Sequence, residues 1–250
     1  MSGNLSRAAA FFHADPVRIG DLVTVDPEED RHMRASRLRR GDRVILLDGR
    51  GGRAEGVLER IERRGGQVRI ERMVLESRER GPYIALAIAL LSDRSRIEWV
   101  VEKGTELGVA EILLLQTDRS EGRIHGDRLH RVATAALKQS QQSFLPSIRL
   151  PVSTGGLLEE SGRFERVFLC HEEAPLHSTL RDDLADDPPH GGILLLIGPE
   201  GGFSDREVEK ARACSARIVS LGPIRLRADT AALTAVVTTT CFVHQTPHRE

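Results

Sequence analysis

Aromatic residues make up only 4% of the 250-residue chain, with one tryptophan and one tyrosine. That leaves few rings for the base-stacking platforms of single-strand-binding proteins. Cysteine is equally sparse: Cys170, Cys214 and Cys241 are odd in number, far apart and set in apolar stretches. Buried thiols in a reducing compartment fit this pattern better than a disulfide framework. No CxxC or HExxH spacing occurs among the cysteines and the nine histidines, so no metal site is expected. No run approaches the roughly 18 consecutive apolar residues of a membrane span. Residues 1–16, MSGNLSRAAAFFHADP, lack the apolar core and cleavage pattern of a secretory signal. The expectation is a cytoplasmic protein without a membrane partner. The formal net charge of -1 argues against nonspecific coating of nucleic acid, although it averages over faces and is silent about any one patch.

What the chain does have is concentrated in residues 194–232, LLLIGPEGGFSDREVEKARACSARIVSLGPIRLRADTAA. Residues 193–197 are a continuous apolar run, the pattern of a strand covered on both faces in a parallel sheet. Gly198, Pro199, Glu200, Gly201 and Gly202 break it. Ser204 followed by Glu207 is a capping-box pattern, which predicts a helix to about Cys214. A second short strand at 218–221 runs into Gly222-Pro223, and 230–244 reads as a long apolar closing helix. Two glycine- or proline-marked loops beside helix starts can wall one ligand pocket, since glycine admits close approach to the backbone and helix N-termini carry unpaired N–H groups. The same spacing describes ordinary strand-to-helix turns. It suggests a pocket without naming the ligand.

Two domains are expected. Short β-type runs at 22–25, 44–47, 53–58 and 67–70, divided by glycines at 49–52 and 65–66, predict an all-β first half, a small barrel or curved sheet. The charged segment 76–82, ESRERGP, fits a linker. Beyond it, strand runs at 83–91, 112–115 and 166–170 alternate with helical spacing from Ile97 to Leu107 and with a helix at 128–142, the pattern of an α/β domain. Periodicity alone draws that domain as a doubly wound open sheet.

Residue identities carry the reading further. IGPEGGF followed by SLGPIRLRADTAA, together with Arg37-Leu38, Gly41-Asp42, Leu47-Asp48-Gly49, the run Glu102-Lys103-Gly104-Thr105-Glu106-Leu107-Gly108-Val109, and Arg119-Ser120, strongly resembles the ribosomal RNA small subunit methyltransferase E family of the SPOUT class. The resemblance spans the whole chain in order. It implies a PUA-like β-barrel RNA-binding domain over 1–76 and a SPOUT-type α/β trefoil-knot methyltransferase domain over 77–250. It also implies S-adenosyl-L-methionine as cofactor, a homodimer, and methylation of N3 of a uridine in 16S ribosomal RNA or the small ribosomal subunit. Carried over by residue, Leu196, Gly198, Pro199, Glu200, Gly201, Gly202, Leu221, Gly222, Ile224, Leu226, Thr230 and Ala231 would hold the cofactor. Arg227, Asp229 and Glu200 are the catalytic candidates, because the uracil N3 proton must leave to a base or beside a cation that stabilises the anion. Arg227 ranks first among them. Asp229 can instead cap the last helix.

Residues 31–43, RHMRASRLRRGDR, form a basic stretch against the single acid Asp42. Guanidinium forks match phosphate oxygens, and the resemblance makes Arg31, Arg34, Arg37, Arg39 and Arg40, with Arg119 and Lys138, the RNA-binding candidates. Arginine vastly outnumbers lysine throughout, so a solvated face rich in arginine is the plain alternative. The chain departs from the family at 138–142, where Lys138, Gln139, Ser140, Gln141 and Gln142 replace a Glu-Gln-Ser/Cys-x-Arg pattern, and at Ala228-Asp229, where Thr-Glu is usual. Lys103 and Glu106, three apart on a helix, are expected to form an ion pair. A SPOUT enzyme acting on another RNA nucleotide or atom is the alternative; an oxidoreductase of Rossmann type lacks its GxGxxG and downstream acid.

Overall fold

The computed structural model describes residues 8–62, 65–77, 83–122 and 126–243. The chain divides into two compact units, Met1–Arg78 with Thr134–Leu145, and Glu79–Ala133 with Pro146–Glu250.

The first unit holds β1 (Ala9–Phe12), β2 (Leu22–Thr24), α1 (Pro27–Ala35), β3 (Arg43–Leu47), β4 (Gly52–Glu62) and β5 (Gly65–Leu75). The strands form one sheet in the order β1-β3-β4-β5-β2, antiparallel except for β1 beside β3. Register shifts at Glu55/Gly56 and Leu58/Arg60 bend the long β4-β5 pair, as bulges do. Side chains alternate across β3. Val44 and Leu46 join Phe11, Leu58, Val68 and Ile70 in one cluster, while Ile45 and Leu47 meet Leu137 and Leu145 in another. The segment Thr134–Leu145 therefore covers the face of β3 that would otherwise be wet. The expected all-β half contains a helix after all. Pro27 starts α1 and acids fill its first turn, which favours a helix. Met33 is the apolar side chain it sends into the core, so the segment carries no apolar period. The expected linker at 76–82 lies beyond residue 77 outside the described residues.

The second unit holds β6 (Ile84–Ala89), α2 (Arg94–Glu106), β7 (Glu111–Gln116), α3 (Gly126–Ser140, its last residues counted with the first unit), β8 (Ser147–Ser153), α4 (Thr154–Glu159), β9 (Arg166–Cys170), α5 (Leu180–Asp186), β10 (Ile193–Ile197), α6 (Asp205–Ala213), β11 (Arg217–Val219) and α7 (Ala228–Val243). The six strands are all parallel, in the order β11-β9-β10-β6-β7-β8. All residues of β6 and β10 are buried, as a sheet sandwiched between helices requires. Ala85, Ala87, Leu113, Leu194 and Leu196 pack with Leu157 and Leu158 of α4 and Ala211 of α6. α7 lies over β6 and β10 and packs on α2 and α5. The chain builds β6, β7 and β8 outward, then sets down β9 and inserts β10 between β9 and β6. The predicted closing helix begins at Ala228 rather than at 230, which puts Asp229 inside its first turn.

Candidate functional site

In an open parallel sheet, ligands bind beyond the carboxyl ends of the strands. Three adjacent strands, β11, β9 and β10, send their following loops to one such place. These loops, with Ala228 and Ala231 of α7, line a pocket of 650 Å³, a size suited to a small-molecule cofactor. Gly202 and Gly222 hold left-handed φ values of 70° and 125°, which a side chain would strain. Gly198 packs so closely under Phe203 that an added Cβ would lie 3.1 Å from the Phe203 ring. Leu176 and Ile224 on the pocket wall are 65% and 75% exposed, apolar surface without a protein neighbour to cover it.

Electrostatics narrow the ligand class. A glycine-rich loop before a helix commonly cradles phosphate on the helix N-terminus. Here that terminus is filled: Glu207 N–H donates to Ser204 Oγ at 3.3 Å, and Ser204 N–H donates to Glu207 Oε2 at 2.9 Å, a complete capping box. The other oxygen of this buried carboxylate accepts from Thr154 Oγ1 at 2.7 Å. The capping box thus uses the Ser204 and Glu207 N–H groups and sets a carboxylate at the helix start, which disfavours the pyrophosphate of a dinucleotide and suits an uncharged or cationic ligand. Arg225 on the pocket wall is paired with Glu172 at 2.9 Å. Burial pushes the Cys170 thiol up to about 12, so this pocket residue offers no thiolate nucleophile at neutral pH.

Of the residues expected from sequence, Gly198, Pro199, Glu200, Gly202, Leu221, Gly222, Ile224, Leu226, Arg227 and Ala231 line the pocket. Leu196 is buried within β10. Thr230 and Asp229 stand in the first turn of α7 outside the lining, and the Thr230 N–H donates to Asp229 Oδ1 at 3.0 Å. Gly201 lines a second cleft of 390 Å³ on the other side of its loop, and Glu200 borders both cavities. The Ser92 hydroxyl donates to Glu200 Oε1 at 2.9 Å, with Arg96 3.8 Å away.

The expected RNA-binding residues fare differently. Arg31, Arg37, Arg39 and Arg40 are exposed on or just after α1, and Arg34 there is paired with Asp30 at 2.8 Å. Arg119 donates from Nη1 to Gly201 O at 2.7 Å, bracing the glycine loop. Lys138 is drawn into a pair with buried Glu29 at 2.5 Å. Lys103 and Glu106 form the expected pair at 2.8 Å, and Glu102 adds a second carboxylate at 2.7 Å; the two together hold the Lys103 ammonium above its ordinary range. Sequence reasoning missed Cys170, His171, Glu172 and Leu176, the wall contributed by the loop after β9. The strand itself was legible. Its place between β10 and β11, which brings that loop to the pocket, leaves no local signal.

Residues 79–240 match the family described as RNA methyltransferase domain, and residues 25–71 the RNA methyltransferase PUA domain. The chain is 30% identical over 241 residues to the ribosomal RNA small subunit methyltransferase E of Mycobacterium bovis, covering 91% of this chain and 90% of that one. A solved methyltransferase from Legionella pneumophila in complex with SAM superposes with a TM-score of 0.82 at 29% identity, over 94% of this chain and 98% of that one. The ribosomal RNA small subunit methyltransferase E of Neisseria gonorrhoeae bound to S-adenosyl methionine has the same fold, with a TM-score of 0.84 at 22% identity over 95% and 98% of the two chains.

Proposed function

Because the chain belongs to the ribosomal RNA small subunit methyltransferase E family, we propose that it methylates N3 of a specific uridine in 16S ribosomal RNA, with S-adenosyl-L-methionine as donor. The observation that carries this reading is the convergence of three loops on one pocket beside a capped helix terminus. When bound, the cofactor supplies an electrophilic methyl group on a sulfonium. The chain's own residues do the rest. Gly198, Pro199, Glu200 and Gly202, with residues 221–228 and Ala231, would hold the donor against Leu176 and Ile224. Alignment of donor and acceptor then gives most of the acceleration. Arg227, exposed at the pocket wall immediately before α7, stabilises the uracil anion as the N3 proton leaves. Glu200, at the edge of both cavities, is the carboxylate placed to take that proton. Asp229, the third candidate, is engaged with its own helix and is assigned a structural part.

Residues 1–76 serve in this reading as the RNA-binding PUA-like domain, and 77–250 as the methyltransferase domain. The SPOUT-type trefoil knot belongs to the same reading and is supported by the insertion of β10 between β9 and β6. A homodimer is supported by part-exposed Val237 of α7 and Trp99 of α2, on helices that pack together. A cytoplasmic location accords with ribosomal RNA as substrate. Among the described residues no helix is long and apolar enough to cross a membrane, and no group of three metal-ligating side chains gathers.

Lys138 favours a second reading. Residues 138–142, KQSQQ, hold no arginine where the resemblance implies one, and Lys138 is paired with Glu29, which supports action on a different RNA nucleotide. Mass spectrometry of small-subunit ribosomal RNA nucleosides from cells with and without the protein separates the two. Loss of one 3-methyluridine is the expected result; loss of another methylated nucleoside selects the second reading, and no loss of either sinks both.

A further inference from the structure

The glycine loop has two sides, and the donor pocket uses one. On the other lies the 390 Å³ cleft bordered by Ser92, Asp118, Arg119, Ser120, Glu200 and Gly201. We propose that this cleft receives the acceptor nucleobase, with Arg119 as the residue that orients it; the inference rests on the methyltransferase reading above.

Position argues first. Within one loop, Pro199 and Gly202 line the donor pocket, Gly201 lines the cleft, and Glu200 lines both. Ligands in the two cavities therefore reach the same carboxylate from opposite sides.

Charge argues second. Asp118, Glu121 and Glu200 line this cleft with Arg119, while Arg96 and Arg206 reach Glu200 and Asp118 from beside it. The Ser204 hydroxyl at 2.6 Å and then the Arg206 guanidinium at 2.8 Å hold the Asp118 carboxyl below its ordinary range, so it stays ionised. The acids and guanidinium groups balance, which leaves no surplus positive charge for a phosphate and suits a neutral base; uracil in particular presents an N–H donor between two carbonyl oxygens. A carboxylate beside a guanidinium complements that edge.

Arg119 argues third. Its Nη1 donates to Gly201 O at 2.7 Å and Phe203 O at 3.4 Å, which fixes the plane of the fork. The guanidinium has three further N–H donors with which to read a carbonyl oxygen. Because the carbonyls that fix it belong to the donor loop, the reader of the base is registered to the methyl donor. The cleft suits one nucleotide turned out of its stack, as enzymes that modify a base require.

Two experiments test this on the full-length protein. In the first, the wild-type protein is irradiated with 4-thiouridine-substituted small-subunit RNA and the crosslinked peptides are mapped. Crosslinks on peptides containing Ser92 or residues 118–121 are expected; crosslinks confined to other surfaces overturn the proposal. In the second, Glu121→Trp fills the cleft from a residue that borders it and does not line the donor pocket. Calorimetry with S-adenosylmethionine is expected to give a Kd within about twofold of wild type, which also reports folding, while the KM for RNA rises on the order of tenfold or more. Unchanged KM and kcat overturn the proposal. A wild-type protein that binds the donor yet methylates no RNA sinks the underlying reading instead, a result distinct from a failure of the cleft alone.

Discussion

The two sheets of this protein solve the same problem in opposite ways. In the N-terminal unit, β5 alternates buried and exposed residues, and its wet face carries arginines such as Arg69 and Arg72, each paired with a glutamate. In the C-terminal unit, β6 and β10 have no wet face. A sheet covered on both sides can meet a ligand only at its ends, and there, after β9, β10 and β11, the pocket forms. A sheet with an open face can present a surface, and the exposed arginines after α1 belong to such a unit. Chemistry at strand ends and recognition on a face are consequences of how each sheet is covered.

Stability measurements can break this contrast. Leu195, fully buried in β10, when replaced by alanine should cost about 3 to 4 kcal/mol in urea unfolding. Leu75 at the end of β5, 84% exposed, should lose less than about 0.5 kcal/mol on the same change. Similar losses at both positions would show that the two sheets are not covered differently.

A smaller effect is expected where the N-terminal unit breaks its own pattern. Lys138→Ala strands buried Glu29, which among the described residues keeps only His32 at 3.8 Å, at a cost of about 2 to 3 kcal/mol. Lys138→Met together with Glu29→Gln should recover most of it, and failure to recover would mean that packing rather than charge holds the pair.

Function at the strand ends should be separable from stability. Arg227→Ala touches no buried contact, so its unfolding midpoint and donor affinity should stay near wild type while turnover falls about a hundredfold. Near-wild-type turnover removes Arg227 from the mechanism. The mildest expectation concerns the thiols. Exposed Cys241 should react with iodoacetamide near pH 8 whereas Cys170, held protonated by burial, should resist. The sign follows from the raised value: the folded state keeps the Cys170 proton up to about 12, against 9.0 for the free thiol. The stability this contributes is complete below pH 9 and is lost as pH rises through 12.

The sequence was most legible where one residue's neighbours along the chain decide its structure. β9 was expected at its observed bounds, and Ser204 with Glu207 formed the capping box that their spacing implied. It was least legible where partners lie far away. α1 escaped notice because Met33 is the side chain it buries in the unit's core. β8 was missed because an edge strand with mostly wet residues has no apolar period. Thr134–Leu145 groups with the first unit because Leu137 and Leu145 are needed against Ile45 and Leu47, a demand invisible within residues 134–145. The site followed the same rule. The two loops marked by glycine and proline together were found from their composition, and the loop after β9, which has one proline, Pro175, and no glycine, was not.

The insertion of β10 carries one more consequence. While the polypeptide emerges from the ribosome, β6, β7 and β8 can pair as they appear, but β9 has only β10 and β11 as neighbours and must wait for both. The strand that supplies the glycine loop is also the keystone joining the two halves. Because the pocket walls come from the loops after β9, β10 and β11 and from the start of α7, they can come together only after β10 has entered the sheet, and affinity for the methyl donor arises in a single step.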